Sequence, residues 1–273
     1  MNDIKWIAIR EFCQACTIPI IAENEKEAGV EGTGILFEIN DNAYLITAYH
    51  VAKRINEHPD NLGIPTGKTK SEVYTFMDCE IIFPKQEQDR TRYDAALVCL
   101  SRNPRLCDTL RENYSYLTLD NIGSYHNIPT NYLLAGYPSK LSKNLSNFDI
   151  FGKFFMLITP PFTGQLNKNV NNDPSYDIFL SYGKSIVDEL GNTVEAPELD
   201  GISGGSIWSI KPDSRKDAFW SAKDSVELVG VDVSYSTPTF KYIRGLRWNV
   251  VAHLFSDIDP YSKNLIIEKI GSD

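Results

Sequence analysis

LDGISGGSIW, residues 199–208, sets a serine among three glycines and follows it with an apolar run. A serine hydroxyl is a poor nucleophile at neutral pH: it needs a base within hydrogen-bond reach, and the oxyanion formed by its attack needs preorganised donors. Glycine serves the second need. Without Cβ atoms, Gly201, Gly204 and Gly205 can take backbone angles that expose Ser203 and turn N–H groups toward one point. A plain turn between two strands uses the same residues. The choice rests on what surrounds the string and on whether the chain supplies a base and an acid.

The surroundings read as short strands. From Thr17 the chain breaks into runs rich in Ile, Val, Tyr, Phe and Thr, cut by Gly, Asn, Asp and Pro: TIPIIAEN, GILFEIN, AYLITAYHV, VYTFMDCEIIF, DAALVCL, NYLLAGYP, FGKFFMLITP, DIFLSYG, GSIWSI and ELVGVDVSYS. GILFEIN and AYLITA form a hairpin, since Asn40, Asp41 and Asn42 tolerate the backbone of a tight turn. Residues 3–16 repeat Ile4, Ile7, Ala8, Phe12 and Ala15 at helical spacing, and IRGLRWNVVAHLFSDI predicts a C-terminal helix through Leu246, Val250, Val251 and Leu254, closed by DIDP. The fold class is all-β with short terminal helices. Between Ser101 and Pro129 the chain turns polar and loses its strand rhythm, dividing it into residues 1–120 and 121–273. No internal repeat of fixed period is present.

Composition excludes several functions. The 273 residues are 42% hydrophobic and 23% charged, which suits a packed globular protein. A formal charge of −9, from 27 Lys and Arg against 36 Asp and Glu, offers no electrostatic footprint for nucleic acid. No window approaches the ~18–20 apolar residues of a bilayer-spanning helix, and Asp3, Lys5, Arg10 and Glu11 interrupt the N-terminal segment where a secretory signal carries its apolar core. No membrane partner and a cytoplasmic location are expected. Five cysteines, an odd number, fit reduced thiols better than a disulfide framework. Cys13 and Cys16 have CxxC spacing, but no second pair completes a tetrahedral metal site, so they read as packed thiols and no metal or organic cofactor is expected.

Four histidines compete for the role of base. His50 follows the buried-type strand YLITA and stands where that strand leaves the core, whereas His58 and His126 lie in polar segments and His253 on the C-terminal helix. The acid that would orient an imidazole is Asp94, at the mouth of the apolar strand AALVCL, where burial demands hydrogen bonds.

At this point a resemblance enters. TAYHVAKRI resembles the TAAHC segment of trypsin-like serine peptidases, DAALVCL their DIALLxL, and GISGGSIW their GDSGGPLV, in the family's order of His, Asp, Ser. GTGILFEI, AGYP and LVGVDVSYS resemble further strands of the same family, so the likeness runs from about residue 30 to 240. It implies a chymotrypsin-like pair of Greek-key β-barrels, the first carrying His50 and Asp94 and the second Ser203. It further implies a serine endopeptidase with His50 as general base, Asp94 as its partner, Ser203 as nucleophile, and the Gly201 and Ser203 amides as oxyanion hole. Ser234 matches the serine that sits beside the triad aspartate. Ser234, Tyr235 and Ser236 match the segment that binds an extended peptide by strand addition.

Three departures qualify the resemblance, the smallest being Ser206 where the family pattern has proline. Ile202 stands where secreted zymogens carry an aspartate that pairs with a newly cut N-terminus, so that activation route is not expected. Pro197 stands where trypsin-type enzymes hold the acid that selects basic residues. Two other readings use the same residues. GISGG also satisfies the GxSxG elbow of α/β-hydrolases, with Ser203, Asp232 and His253 in the required order. A peptidase fold can also serve as a catalytically silent or latent peptide-binding module. The expected partner in either peptidase-fold case is a protein or peptide, with regulation through loops or a further protein.

Overall fold

The computed structural model describes residues 3–23, 27–67, 72–124, 129–144, 150–168, 170, 172–187, 193–211, 220–236 and 241–271. Helix α1 (Asp3–Cys16) leads directly into β1 (Thr17–Glu23), followed by β2 (Ala28–Ile39) and β3 (Asn42–Thr47). Asn40 and Asp41 both carry positive φ, 50° and 61°, so the β2–β3 hairpin closes through the two-residue turn that its polar residues favour. Then come α2 (Tyr49–Glu57), β4 (Leu62–Pro65), β5 (Val73–Thr75), β6 (Glu80–Ile82), α3 (Glu87–Arg92), β7 (Ala96–Cys99) and α4 (Pro104–Asn113). These strands form one antiparallel sheet in the order β5-β4-β1-β2-β3-β7-β6. Its two edges are consecutive in the chain, linked through Phe76–Cys79 with Asp78 at φ 67°, so a single bent segment closes the barrel.

The second half contributes β8 (Tyr132–Gly136), a small hairpin of β9 (Lys143–Asn144) and β10 (Ile150–Phe151), β11 (Phe155–Thr159), β12 (Asp177–Ser181), and a second small hairpin of β13 (Ser185–Val187) and β14 (Thr193–Glu195). It continues with β15 (Ser206–Ile210), α5 (Ala222–Ser225), β16 (Val226–Tyr235), β17 (Tyr242–Arg247), α6 (Trp248–Phe255) and α7 (Pro260–Ile270). The main sheet runs β11-β8-β15-β16-β17-β12, again antiparallel. Its edges meet where the Phe162 amide donates to Phe179 O at 2.8 Å and the Ser181 amide to Pro160 O at 3.0 Å. Counting β5 and β6 as one strand, both barrels follow the same cyclic order, first-second-third-sixth-fifth-fourth. The chain is a chymotrypsin-like double β-barrel.

The terminal helices cross over. Helix α1 sets Phe12 against Trp208 of the second barrel, with ring centroids 5.7 Å apart, and Arg10 donates to Phe154 O at 3.3 Å. Helix α6 returns to the first barrel, where Trp248 meets Phe37 at 5.0 Å and Phe255 meets Tyr44 at 5.1 Å. Each barrel is thus covered on one side by a helix from the opposite end of the chain.

Several strand and helix expectations need correction. AYLITAYHV stops being strand at Thr47, because Val51, Ala52 and Ile55 bury one face of α2 at helical spacing. VYTFMDCEIIF breaks into two strands at the Asp78 turn. The polar stretch after Ser101 contains α4, capped by Asn103 Oδ1, which accepts the Leu106 N–H at 3.1 Å with Pro104 at the helix start. In IRGLRWNVV the residues through Arg247 are strand β17, and the helix begins only at Trp248. DIDP ends α6 but also opens α7, since Asp259 accepts the Tyr261 and Ser262 N–H groups at 3.1 Å and Pro260 occupies the first turn. Cys13 and Cys16 are fully buried, and all five thiols are free.

Candidate active site

His50 stands on the first turn of α2. The residue before the helix, Ala48, has extended angles (φ −67°, ψ 145°) and no side-chain oxygen to cap it. Asp94 does so from outside: Oδ1 accepts the His50 backbone N–H at 3.1 Å, where the exposed amides of a helix start favour a carboxylate. The same carboxylate meets the imidazole, with Nδ1 3.1 Å from Oδ1 and 2.9 Å from Oδ2. Backbone and ring are therefore fixed together. Burial pulls the His50 pKa down, but the Asp94 hydrogen bond, the Asp94 charge and the charge of Glu31 outweigh it and raise it above the ordinary imidazole value. Glu31, on β2, is itself ion-paired with Arg54 of α2.

Ser203 comes from the second barrel, and its turn is bound to the first. The Thr33 amide on β2 donates to Ser203 O at 2.9 Å. Thr33 Oγ1 donates to Gly201 O at 3.0 Å and accepts the Tyr137 N–H at 3.0 Å, while Thr47 Oγ1 donates to Thr33 O at 2.7 Å. On the other side the Gly204 amide donates to Asp232 O and the Asp232 amide to Gly205 O, both at 2.7 Å. Gly201 (φ +86°) and Gly204 (φ +90°) take the backbone that side chains disfavour, and a Cβ on Gly204 would lie 1.9 Å from Thr33 O. The Gly201 and Ser203 amides donate to no acceptor among the described residues. His50 and Asp94 are in direct contact; Ser203 Oγ makes no hydrogen bond among the described residues.

Ile202 is 1% exposed, in the apolar cluster with Leu199, Ile207 and Tyr182 that fills the second barrel. A buried aliphatic side chain thus anchors the turn where the zymogen pattern has an ion pair. The carbonyl of Pro197 accepts the Tyr182 hydroxyl, holding the approach to the turn.

Ser234 lies opposite Arg244 just after a register shift in the β16–β17 pairing, and it is exposed rather than hydrogen-bonded to Asp94. Tyr235 OH donates to Asp200 Oδ1 at 2.9 Å, and the Ser236 amide to Tyr242 O at 2.9 Å. Pairing of β15 with β16 ends at Val231, so beyond Asp232 the segment has β17 on one side and no strand on the other among the described residues. An unpaired strand edge leaves backbone donors and acceptors open to a further strand.

The elbow reading is overturned by the fold: both main sheets are antiparallel, and Ser203, Asp232 and His253 do not converge. Asp232 is buried with no hydrogen-bond partner for either carboxylate oxygen among the described residues, and His253 on α6 stacks on Tyr93, centroids 6.3 Å apart. His58 is an exposed residue at the end of α2, and His126 lies outside the described residues. Among the described residues no group of three or more His, Cys, Asp or Glu side chains is placed to hold a metal ion, and no helix is long and apolar enough to cross a membrane. Sequence reasoning passed over Thr33 and Thr47; the only available signal was the GTG of the strand before His50, which marks a position without revealing what the threonine binds.

Comparison with solved structures agrees with this architecture. A thermostable serine protease, AL20, from an extremophilic microorganism matches with TM-score 0.51 at 8% identity, over 92% of this chain and 99% of that one. Rv3671c of M. tuberculosis in an inactive form matches with TM-score 0.51 at 12% identity, over 96% and 95%. An inactivated protease paralogue from the scabies mite matches with TM-score 0.52 at 13% identity, over 94% and 96%. At these identities the likeness establishes the fold alone. No family model matches the sequence, and no curated protein aligns with it significantly.

Proposed function

We propose that this protein is a serine endopeptidase that cleaves peptide bonds of protein substrates through an acyl-enzyme, with His50, Asp94 and Ser203 as its triad. The observation that carries the reading is the 2.9 Å contact between His50 Nδ1 and Asp94 on the first barrel, tied through Thr47 and Thr33 to the backbone of Ser203 on the second. With Nδ1 donating to the carboxylate, Nε2 is left as the base. Ser203 Oγ attacks the scissile carbonyl as Nε2 takes its proton. The Gly201 and Ser203 amides receive the oxyanion, and the imidazolium, held by Asp94, protonates the leaving amine. Water then attacks the acyl group with Nε2 again as base. An extended substrate adds to the open edge at Ser234, Tyr235 and Ser236. The five free thiols support a reducing, cytoplasmic setting, and an overall charge of −9 gives no support to a nucleic-acid partner.

A catalytically silent or latent peptide-binding module is the competing reading, favoured by the absence of a hydrogen bond on Ser203 Oγ among the described residues. Hydrogen bonds of this kind often tighten only when substrate is bound. A fluorophosphonate probe and cleavage of a peptide library by wild type beside Ser203→Ala separate the two. Labelling and cleavage lost together in Ser203→Ala support the peptidase; a folded wild type that neither labels nor cleaves supports the module.

A further inference from the structure

The second barrel grips the segment that carries Asp94, and it does so through an arginine. Arg244 on β17 donates from Nε to Asp177 Oδ1 at 2.8 Å, and its Nη2 lies 2.8 Å from the same oxygen and donates to Arg92 O at 2.8 Å. The pair is buried, with side-chain exposures of 13% for Arg244 and 2% for Asp177. The second Asp177 oxygen accepts the Asp173 N–H at 2.8 Å, which orients the carboxylate. Arg92 in turn reaches Asp173 Oδ2 at 2.9 Å, and its guanidinium lies over the rings of Tyr93 and Tyr176. Arg92 and Tyr93, the two residues before Asp94, are thus held from strands β12 and β17 and the turn between Asp173 and Tyr176.

A buried ion pair is weak as a source of stability, because desolvation offsets its attraction. What it supplies is direction: the planar guanidinium can bind a carboxylate and a carbonyl at once in a fixed fork. Among the described residues the Asp94 carboxylate takes its hydrogen bonds only from the backbone N–H and ring of His50, so its placement depends on how the backbone that carries it is held. Ser234, which by the resemblance matches the serine beside the triad aspartate, is exposed, and the residue opposite it in the strand register is Arg244.

The structure assigns Arg244, with Asp177 behind it, as a positioning residue that sets the Asp94–His50 geometry by clamping the backbone of Arg92 from the second barrel. The role rests on the peptidase reading, in which that pair activates Ser203. It makes docking of the barrels a condition for the base as well as for the nucleophile.

The test is the titration of His50, followed by NMR in wild type, Arg244→Gln and Arg244→Lys. Asp94 faces His50 from the segment before β7 and Glu31 from β2, with Arg54 of α2 paired to Glu31; Asp232 lies buried on β16, its charge coupled to Asp94. None of these is altered by the substitutions. In Arg244→Gln the His50 pKa should fall toward the ordinary value of about 6.5, and kcat should drop about 10-fold with KM within about two-fold. Arg244→Lys keeps the charge beside Asp177 but cannot fork to Arg92 O, so its values should lie between the other two. A folded Arg244→Gln whose His50 titrates as in wild type overturns the assignment. Should that variant fail to fold, a wild-type titration in Arg244→Lys overturns it equally. Absence of hydrolysis in every protein, wild type included, removes the peptidase reading while the titration still decides the clamp.

Discussion

Replacing Asp232 with asparagine should stabilise the protein by an amount that grows with pH. Asp232 is 1% exposed, and neither carboxylate oxygen has a hydrogen-bond partner among the described residues. Burial first, and then the charge of Asp94, hold its pKa well above the usual carboxylate range, against a weaker opposing pull from the nearby Val233 amide, which does not reach hydrogen-bond geometry. The unfolded chain releases this proton near pH 3.9, as unperturbed aspartates do. Between the two titrations the folded state keeps a proton that the unfolded state has lost, so unfolding free energy falls as pH rises, by about 1.4 kcal/mol per pH unit. Asparagine has nearly the same shape and no such proton. Urea denaturation followed by tryptophan fluorescence reports on this directly, since Trp208 and Trp248 are fully buried. Above the unfolded-state titration near pH 3.9 the advantage of Asp232→Asn over wild type should widen as pH rises, at up to about 1.4 kcal/mol per pH unit for as long as the folded state keeps the proton, and the pH effects of groups that do not interact with residue 232 cancel in the difference. Parallel pH dependences for the two proteins would refute the claim that this carboxyl is buried without compensation.

The raised His50 pKa has a sign that kinetics can read. The base must be neutral, so the acid limb of kcat/KM should fall above about pH 6.5, and Glu31→Gln should move it down by removing one of the charges that hold the proton; a limb below the ordinary imidazole value in wild type contradicts this. Gly204→Ala should cost at least about 2–3 kcal/mol in thermal or urea unfolding and abolish cleavage, because the new methyl meets Thr33 O and Thr47 Oγ1 at a backbone angle side chains disfavour. An active Gly204→Ala of wild-type stability would show that the turn is not docked as described.

What could be read in the sequence was what depends on neighbours in the chain. Strand runs, the Asn40–Asp41 turn and α1 are local, and so is the grouping of glycines around Ser203. His50 and Asp94 were legible as residue types at the ends of apolar runs, and the structure places them in contact. Asp232 was legible only as an acid inside an apolar strand; its lack of a partner is a property of the packed barrel. Arg244 stood in IRGLRW, where the apolar spacing of the following helix masked a strand, so its contacts could not be read from neighbours in the chain. Ser234 is exposed and makes no hydrogen bond to Asp94 among the described residues; it follows a register shift in the β16–β17 pairing, and such a bulge leaves no trace in a string of strand-forming residues.

The same cyclic strand order in both barrels arises without any repeat in the sequence, which is reasonable if the topology constrains only where strands lie and which faces are apolar. The consequence for the site is specific. Each barrel contributes a segment that the other must complete: the Ser203 turn carries its glycines on the second barrel but takes its backbone contacts from Thr33 and Thr47 of the first. Asp94 approaches from the first barrel, but the backbone before it is held by Arg244 of the second. On the peptidase reading, neither half contains a finished nucleophile or a finished base. A barrel interface that shifts by even about 1 Å would displace both segments at once, so in the proposed peptidase the contacts between the barrels would set the catalytic geometry as well as the fold.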